Sequence, residues 1–153
     1  MDGTGSAARF GRVNGVAVNA QGDVYVSENG TTIRKISSTG VVTTIAGSLV
    51  ASGAVDGTGA AARFGYIHSI VVDSAGNIFA ADSPNHAIRK ITPQGVVTTV
   101  VGKLGVAGYA VGALPGLLNS PQALGIDATD LLYFISVTSL NNKPAVEILK
   151  ARL

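Results

Sequence analysis

Most of what lies between Asp2 and Gly47 is written a second time between Asp56 and Gly102. DGTGSAARFG at the start of the first copy matches DGTGAAARFG in the second, and GDVYVSE (Gly22 to Glu28) matches GNIFAAD (Gly76 to Asp82). IRKI recurs at Ile33 and Ile88, and GVVTTIAG at Gly40 returns as GVVTTVVG at Gly95. The offset is 54 residues as far as Glu28 and 55 from Ile33 onward, so the intervening loop gains one residue. A third, worn copy keeps the spacing: Asp127 lies 54 residues after Asp73, and Tyr133 lies 54 after Phe79. A unit this short cannot bury an apolar face alone, so the copies must stack on one another.

Within a unit, the residue types favour strands and turns. Val, Ile and Thr gather in short runs, which suit a pleated surface, and 20 glycines punctuate them. GVAVN at Gly15 and SIVVD at Ser69 do not alternate, as expected of a strand buried on both faces. NAQGD (Asn19 to Asp23) and DSAGN (Asp73 to Asn77) read as tight hairpins, with Gly22 and Gly76 where a left-handed residue is needed. Second strands follow at Val24 to Ser27 and Ile78 to Ala81. Third strands run from Thr32 to Ser37 and Ala87 to Thr92, and their imperfect alternation predicts a bulge or twist. SSTG and TPQG make the next hairpins, ending on Gly40 and Gly95, and the VVTT strands close the units.

Four short antiparallel strands followed by a long loop is the pattern of a propeller blade. The signs G-[DN]-[VI]-[YF], IRKI and GVVTT resemble the NHL-repeat family of β-propellers. The resemblance is strong over the first two units and weak over the third. It implies an all-β ring of blades, most often six, with each first strand lining a central channel. The blades are expected at residues 1–47, 48–102 and 103–153, each with its leading loop.

The third unit departs from the pattern. Asp130 stands where the hairpin glycine stood, Ser136 replaces the acid after the second strand, and NNKP (Asn141 to Pro144) precedes a last strand candidate at Val146 to Leu149. Two complete blades and an incomplete third cannot close a ring. Two such chains related by a two-fold axis would make one of six blades, the first blade of each packing on the last blade of the other; the alternative is a fragment of a longer propeller, or one that associates less regularly. Residues such as Val16, Val18, Leu132 and Phe134 are expected on the apolar faces that would meet.

Repetition also sorts residues by role. A residue present in every unit answers a need of every blade, whereas a binding site draws different groups from different blades. Asp2 and Asp56, Arg9 and Arg63, Phe10 and Phe64, and the turn glycines therefore read as architecture. The arginines are expected to bind a nearby carboxylate or carbonyls, with phosphate as the alternative. DGTG reads as a turn, with a calcium loop as the alternative that lacks carboxylate density. Two sets keep their place in the blade but change chemistry: Asn14, His68 and Gln122 ahead of the first strands, and Glu28, Asp82 and Ser136 after the second strands. Both sets are expected at one mouth of the channel, a place where ligands bind. The opposing reading makes Glu28 and Asp82 acceptors for loop amides and His68 a polar residue on a wet channel. His86, in SPNHA, is expected to be a solvated loop tip.

These observations predict a binding or assembly module without cofactor or metal, directed to protein or a carbohydrate-like ligand and to copies of itself. A metal-dependent hydrolase or lyase of the same architecture is the alternative, but it would have only His68, Glu28, Asp82 and Asn14 for ligands. An RNA-binding propeller is the second alternative. The formal charge of +2 and the scattered Arg34, Lys35, Arg89 and Lys90 give it little to work with. The absence of cysteine excludes disulfides and thiol chemistry. No apolar run approaches the roughly 18 residues of a membrane span. Met1 leads straight into repeat sequence with no signal-peptide pattern, which leaves the compartment open.

Overall fold

A computed structural model describes residues 1–109, 114–140 and 143–153, with the backbone alone described at 138–140 and 143–147. The chain forms three antiparallel sheets in sequence order. The first blade comprises β1 (Gly3–Thr4), β2 (Val13–Val18), β3 (Val24–Glu28), β4 (Thr32–Ile36) and β5 (Val41–Gly47). The second repeats it with β6 (Gly57–Thr58), β7 (Ile67–Val72), β8 (Ile78–Asp82), β9 (Ala87–Ile91) and β10 (Val96–Gly102). The third holds β11 (Leu124–Ile126), β12 (Leu131–Leu140) and β13 (Lys143–Arg152).

Strands two to five of each full blade pair as a meander, while the two-residue β1 and β6 add to the outer side of β5 and β10. DGTG is thus more than a turn. Its first glycine and threonine form that short strand, and only the second glycine, Gly5 or Gly59, takes positive φ. Each leading loop therefore starts on the outer strand of its blade and crosses to the innermost one.

The hairpins follow the sequence reading. Gly22, Gly40, Gly76 and Gly95 all sit at φ 80–81°, where a Cβ is strained. Asn19 and Asp73 hold the first hairpins by accepting amide bonds from residues further round the turn. In the third hairpin Asp130 takes the left-handed place at φ 60°. The predicted irregularity lies opposite the IRKI strands, where the β4–β5 and β9–β10 registers slip by one residue.

Two apolar seams hold the blades together. Tyr25, Ile33 and Ala46 of the first blade meet Phe64, Ile67, Ile70, Ile78 and Val97 of the second. Phe79, Ala81, Ile88 and Val101 on its other face meet Leu118, Leu132, Phe134 and Ala151 of the third. Leu132 and Phe134 are therefore buried, not on an open face as expected, because the even-numbered positions of β12 point toward the second blade. Ile148, 75% exposed, stands on the open side instead. Within NNKP, residues 141–142 lie outside the described residues, and β13 already begins at Lys143, longer than the segment expected from Val146 to Leu149. No helix among the described residues is long and apolar enough to cross a membrane.

Candidate functional site

The buried polar groups of each full blade form one cluster. Arg34 and Arg89 are fully buried. Arg89 pairs with Asp82 at 2.9 Å and with Asp56 at 2.6 Å, and it donates to the carbonyls of Val55 and Arg63. Its guanidinium lies 5.1 Å from the centroid of the Phe64 ring. In the first blade Arg34 pairs with Glu28 and, at 2.9 Å, with Asp2, and stands 4.9 Å from the Phe10 ring. The acids also bind the chain around them. Glu28 accepts the Gly11 amide, and Asp82 accepts the amides of Gly65 and Tyr66. Asp56 accepts the amide and hydroxyl of Thr99, and Asp2 those of Thr44. Against the cost of partial desolvation, the Thr44 amide and hydroxyl and the Arg34 guanidinium hold the Asp2 carboxyl below its ordinary range. One arginine thus ties the crossing loop, the second strand and the outer strand together. Arg9 and Arg63 cap the carbonyls of the short 3-10 turns beside them.

Glu28, Asp82 and Ser136, expected to line the mouth, lie at its end of the blades but are buried. The pairing of Val13 with Glu28 and of Ile67 with Asp82 puts both candidate sets at that one end. Ser136 does for the third blade what the acids do for the others, accepting the Asn119 amide at 3.1 Å and donating to the Asn119 carbonyl.

The other set reaches outward. Between Val13 and Val16, and again between Ile67 and Ile70, the innermost strand carries one residue more than its partner. This bulge contains Asn14 in the first blade and His68 in the second, and bulges re-aim side chains. In the third blade the Gln122 amide donates to the Ile135 carbonyl and the Ile135 amide to the Ala123 carbonyl, just ahead of β11. His68 and Gln122 are exposed and Asn14 is half-buried. Tyr66, which the sequence reading passed over, joins them. Its hydroxyl accepts from Asn14 Nδ2 at 2.5 Å, and its ring meets that of His68 edge-on at 4.8 Å between centroids. Gly30 makes room for this, since a Cβ there would fall on the Tyr66 ring. Arg12 and Ser120 occupy its place in the other units, the same change of chemistry at a fixed spacing that singles out Asn14, His68 and Gln122, so the repeat carried a signal for Tyr66.

His86 is not the solvated tip expected. It is half-buried at φ 55°, and its Nδ1 accepts the Ser120 amide at 3.1 Å across the junction of the second and third blades. Among the described residues no group of three or more His, Asp or Glu side chains is placed to hold a metal ion.

A family model described as "NHL repeat" matches residues 64–91. No curated protein matches the sequence. Among solved structures, an auxiliary nutrient binding protein from Bacteroides ovatus is 23% identical with a TM-score of 0.69, over 93% of this chain and 38% of its own length. A gluconolactonase from Xanthomonas campestris is 17% identical with a TM-score of 0.57, over 92% of this chain and 44% of its own. Virginiamycin B lyase from Staphylococcus aureus is 14% identical with a TM-score of 0.55, covered over 45% of its length. The chain spans less than half the length of each of these proteins. Likeness at such identities speaks for the fold and not for an activity. Residues 64–91 match the NHL repeat, and they lie in the middle of an all-β chain with the fold of a β-propeller segment.

Proposed function

We propose that the chain is a non-catalytic binding and assembly module, whose channel mouth takes a carbohydrate-like ligand and whose open blade faces take a second copy. The observation that carries the first part is the group formed by Asn14 and His68 on the first-strand bulges, Tyr66 between them, and Gln122 ahead of the third blade's first strand. Two amides, an imidazole and a phenol supply both donors and acceptors, and an aromatic ring offers an apolar face. That mixture suits a polyhydroxylated ligand, whose hydroxyls need paired donors and acceptors while its C–H faces need a flat surface. The buried Glu28, Asp82 and Ser136 act as the floor, fixing the loops on which the group stands. The resemblance to a nutrient-binding protein supports a binding role, while the lyase and the lactonase keep catalysis as the competing reading.

Titration of a panel of neutral oligosaccharides by calorimetry tests this. At least one should bind, and Tyr66→Ala combined with His68→Ala should abolish the binding without altering the far-UV spectrum. Lactone or ester turnover by the wild-type chain, lost in the same variant, would overturn the non-catalytic reading.

The second part rests on faces whose equivalents inside the chain are buried. Phe10, Val13, Val16 and Val18 are exposed on the first blade, whereas Phe64, Ile67 and Ile70 at the same places in the second are packed against a neighbour. On the third blade Ile148 is exposed where Ile33 and Ile88 are buried. The open faces thus repeat the two sides of a seam the chain already makes twice. A copy related by a two-fold axis would form that seam at both ends and complete the mouth with a second Asn14, His68 and Gln122.

A further inference from the structure

Asn-Gly occurs twice in the sequence, at Asn14-Gly15 and at Asn29-Gly30. In such a pair the glycine nitrogen can attack the side-chain carbonyl carbon of the asparagine, because no Cβ stands in its way. The fold treats the two pairs in opposite ways. At the first, both reacting groups are held: the Gly15 amide donates to Ser27 Oγ at 2.8 Å, and Asn14 Nδ2 donates to the Tyr66 hydroxyl at 2.5 Å. At the second, neither is held. Asn29 and Gly30 form the tip of the β3–β4 hairpin at φ 52° and 73°, closed by the Thr31 amide donating to the Glu28 carbonyl at 3.1 Å. Asn29 is exposed, and among the described residues neither its Nδ2 nor the Gly30 amide donates to any acceptor.

The one bond the Asn29 side chain makes favours the reaction. Its Oδ1 accepts the Arg12 amide at 3.0 Å, and that donor is placed to steady the negative charge that develops on Oδ1 when Cγ is attacked. The surroundings also explain why so reactive a pair stands here. Left-handed backbone at both positions favours asparagine followed by glycine, and a Cβ on Gly30 would fall on the Tyr66 ring. The second blade makes the same connection without an Asn-Gly pair, through the 3-10 turn Ser83–Asn85 and its proline.

We infer that Asn29-Gly30 is a site of spontaneous deamidation, and that isoaspartate formed there remodels the mouth. The Gly30 nitrogen gives up its proton to hydroxide and bonds to Asn29 Cγ. The Cγ–Nδ2 bond breaks, and Nδ2 leaves as ammonia after taking up a proton. The cyclic imide then takes up one water, and nothing is oxidised or reduced. Opening at Cγ gives aspartate; opening at the main-chain carbonyl leaves Gly30 attached through the former side chain, as isoaspartate. Isoaspartate lengthens the backbone by one carbon just ahead of Gly30, whose carbonyl accepts the Ile67 amide at 2.8 Å and whose bare Cα lies against the Tyr66 ring. The added carbon therefore displaces Tyr66 from Asn14 and His68. The reaction is independent of any ligand the mouth takes.

The test is peptide mapping by mass spectrometry after incubation of the whole chain in mildly alkaline buffer, with electron-based fragmentation to tell isoaspartate from aspartate. Folded protein should gain one mass unit at Asn29 at least about tenfold faster than at Asn14. In urea, where neither pair is held, the two rates should converge. No conversion at Asn29 in the folded chain, or equal rates at the two pairs, overturns the site. In the converted protein the ring resonances of Tyr66 and His68 should shift while those of Tyr133, in the third blade, stay in place. Unchanged Tyr66 resonances overturn the remodelling. Asn29→Gln, whose longer side chain disfavours the small imide ring, should keep both its mass and its Tyr66 resonances through the same incubation. A shift of those resonances in the aged variant would tie the change to something other than Asn29 and overturn the proposal as well.

Discussion

Gly76 and Gly95 hold the same backbone angle for different surroundings, which separates two costs of a side chain. Both lie at φ 81°, but a Cβ on Gly76 meets only the Pro93 ring at 3.5 Å, whereas one on Gly95 comes within 2.7 Å of the Ile45 carbonyl oxygen. Gly76→Ala should cost about 1–2 kcal/mol, the penalty of a left-handed residue. Gly95→Ala should cost more, because the carbonyl is backbone and must shift. Urea unfolding of the two variants checks both the size and the order, and equal costs would contradict the geometry. The turn glycines were legible because a repeated glycine after Asx or in S-S-T-G has a backbone reason. The contacts of Tyr66 were not, because they come from a neighbouring blade: it needs Asn14 on one side and Gly30 beneath it, and no spacing within a unit encodes that.

At the scale of the element, the third strand shows where pattern reading stops. IRKI reads as a strand of imperfect alternation, which does not say which cation is inside, and it buries Arg34 and Arg89 while leaving Lys35 and Lys90 at the edge of solvent. The cause is long-range, since the acids that neutralise Arg89 come from the leading loop and from the second strand. Burial of such a group without its partners is far costlier than the pair itself is beneficial. Asp82→Asn should therefore destabilise the chain by about 3–5 kcal/mol. Ser136→Asp, which copies the blade-two residue into a blade where register puts Leu149 in the place of Arg89, should also destabilise, and Ser136→Asp with Leu149→Arg should recover part of the loss. Thermal unfolding of the single and double variants measures this, and additive losses would refute the cluster as a unit.

The third hairpin responds to pH for a related reason. Bonds to the Asp127 carboxylate from the Thr129 hydroxyl and from the Leu131 and Thr129 amides lower its pKa to about 2 from an ordinary 3.8. The folded state thus holds the proton less tightly than the unfolded chain. The stabilisation is complete above the unfolded value and is lost as pH falls through the folded one. Exchange protection in β11 and β12 should decline between about pH 4 and pH 2, and Asp127→Asn should flatten that decline.

For the whole molecule, the architecture was readable from the repeat itself, while the way it could continue was not. The sequence placed apolar residues on the blade faces but assigned Leu132 and Phe134 to the wrong side, because strand alternation fixes which residues share a face and not which neighbour that face meets. With the faces corrected, the ring of two copies has a sharper test. Light scattering at micromolar concentration should give twice the chain mass of 15.4 kDa. Ile148→Asp should return it to the single mass, while Phe134→Asp should unfold the third blade instead. A folded monomer at all concentrations would exclude the ring.

The crossing loops have a mechanical consequence. In each full blade the loop is bonded to the outer hairpin, through Gly5 to Gly40 or Gly59 to Gly95, and its aspartate grips the outer strand. A pull along the chain that would strip the outer strand must also lift the loop and break the arginine cluster beneath it, so these bonds share the load instead of failing one by one. Among the described residues the third blade has no such clasp. Stretched between its ends, the molecule should open like a chain with one weak link, the third sheet yielding at low force and the first two holding until they give way nearly together.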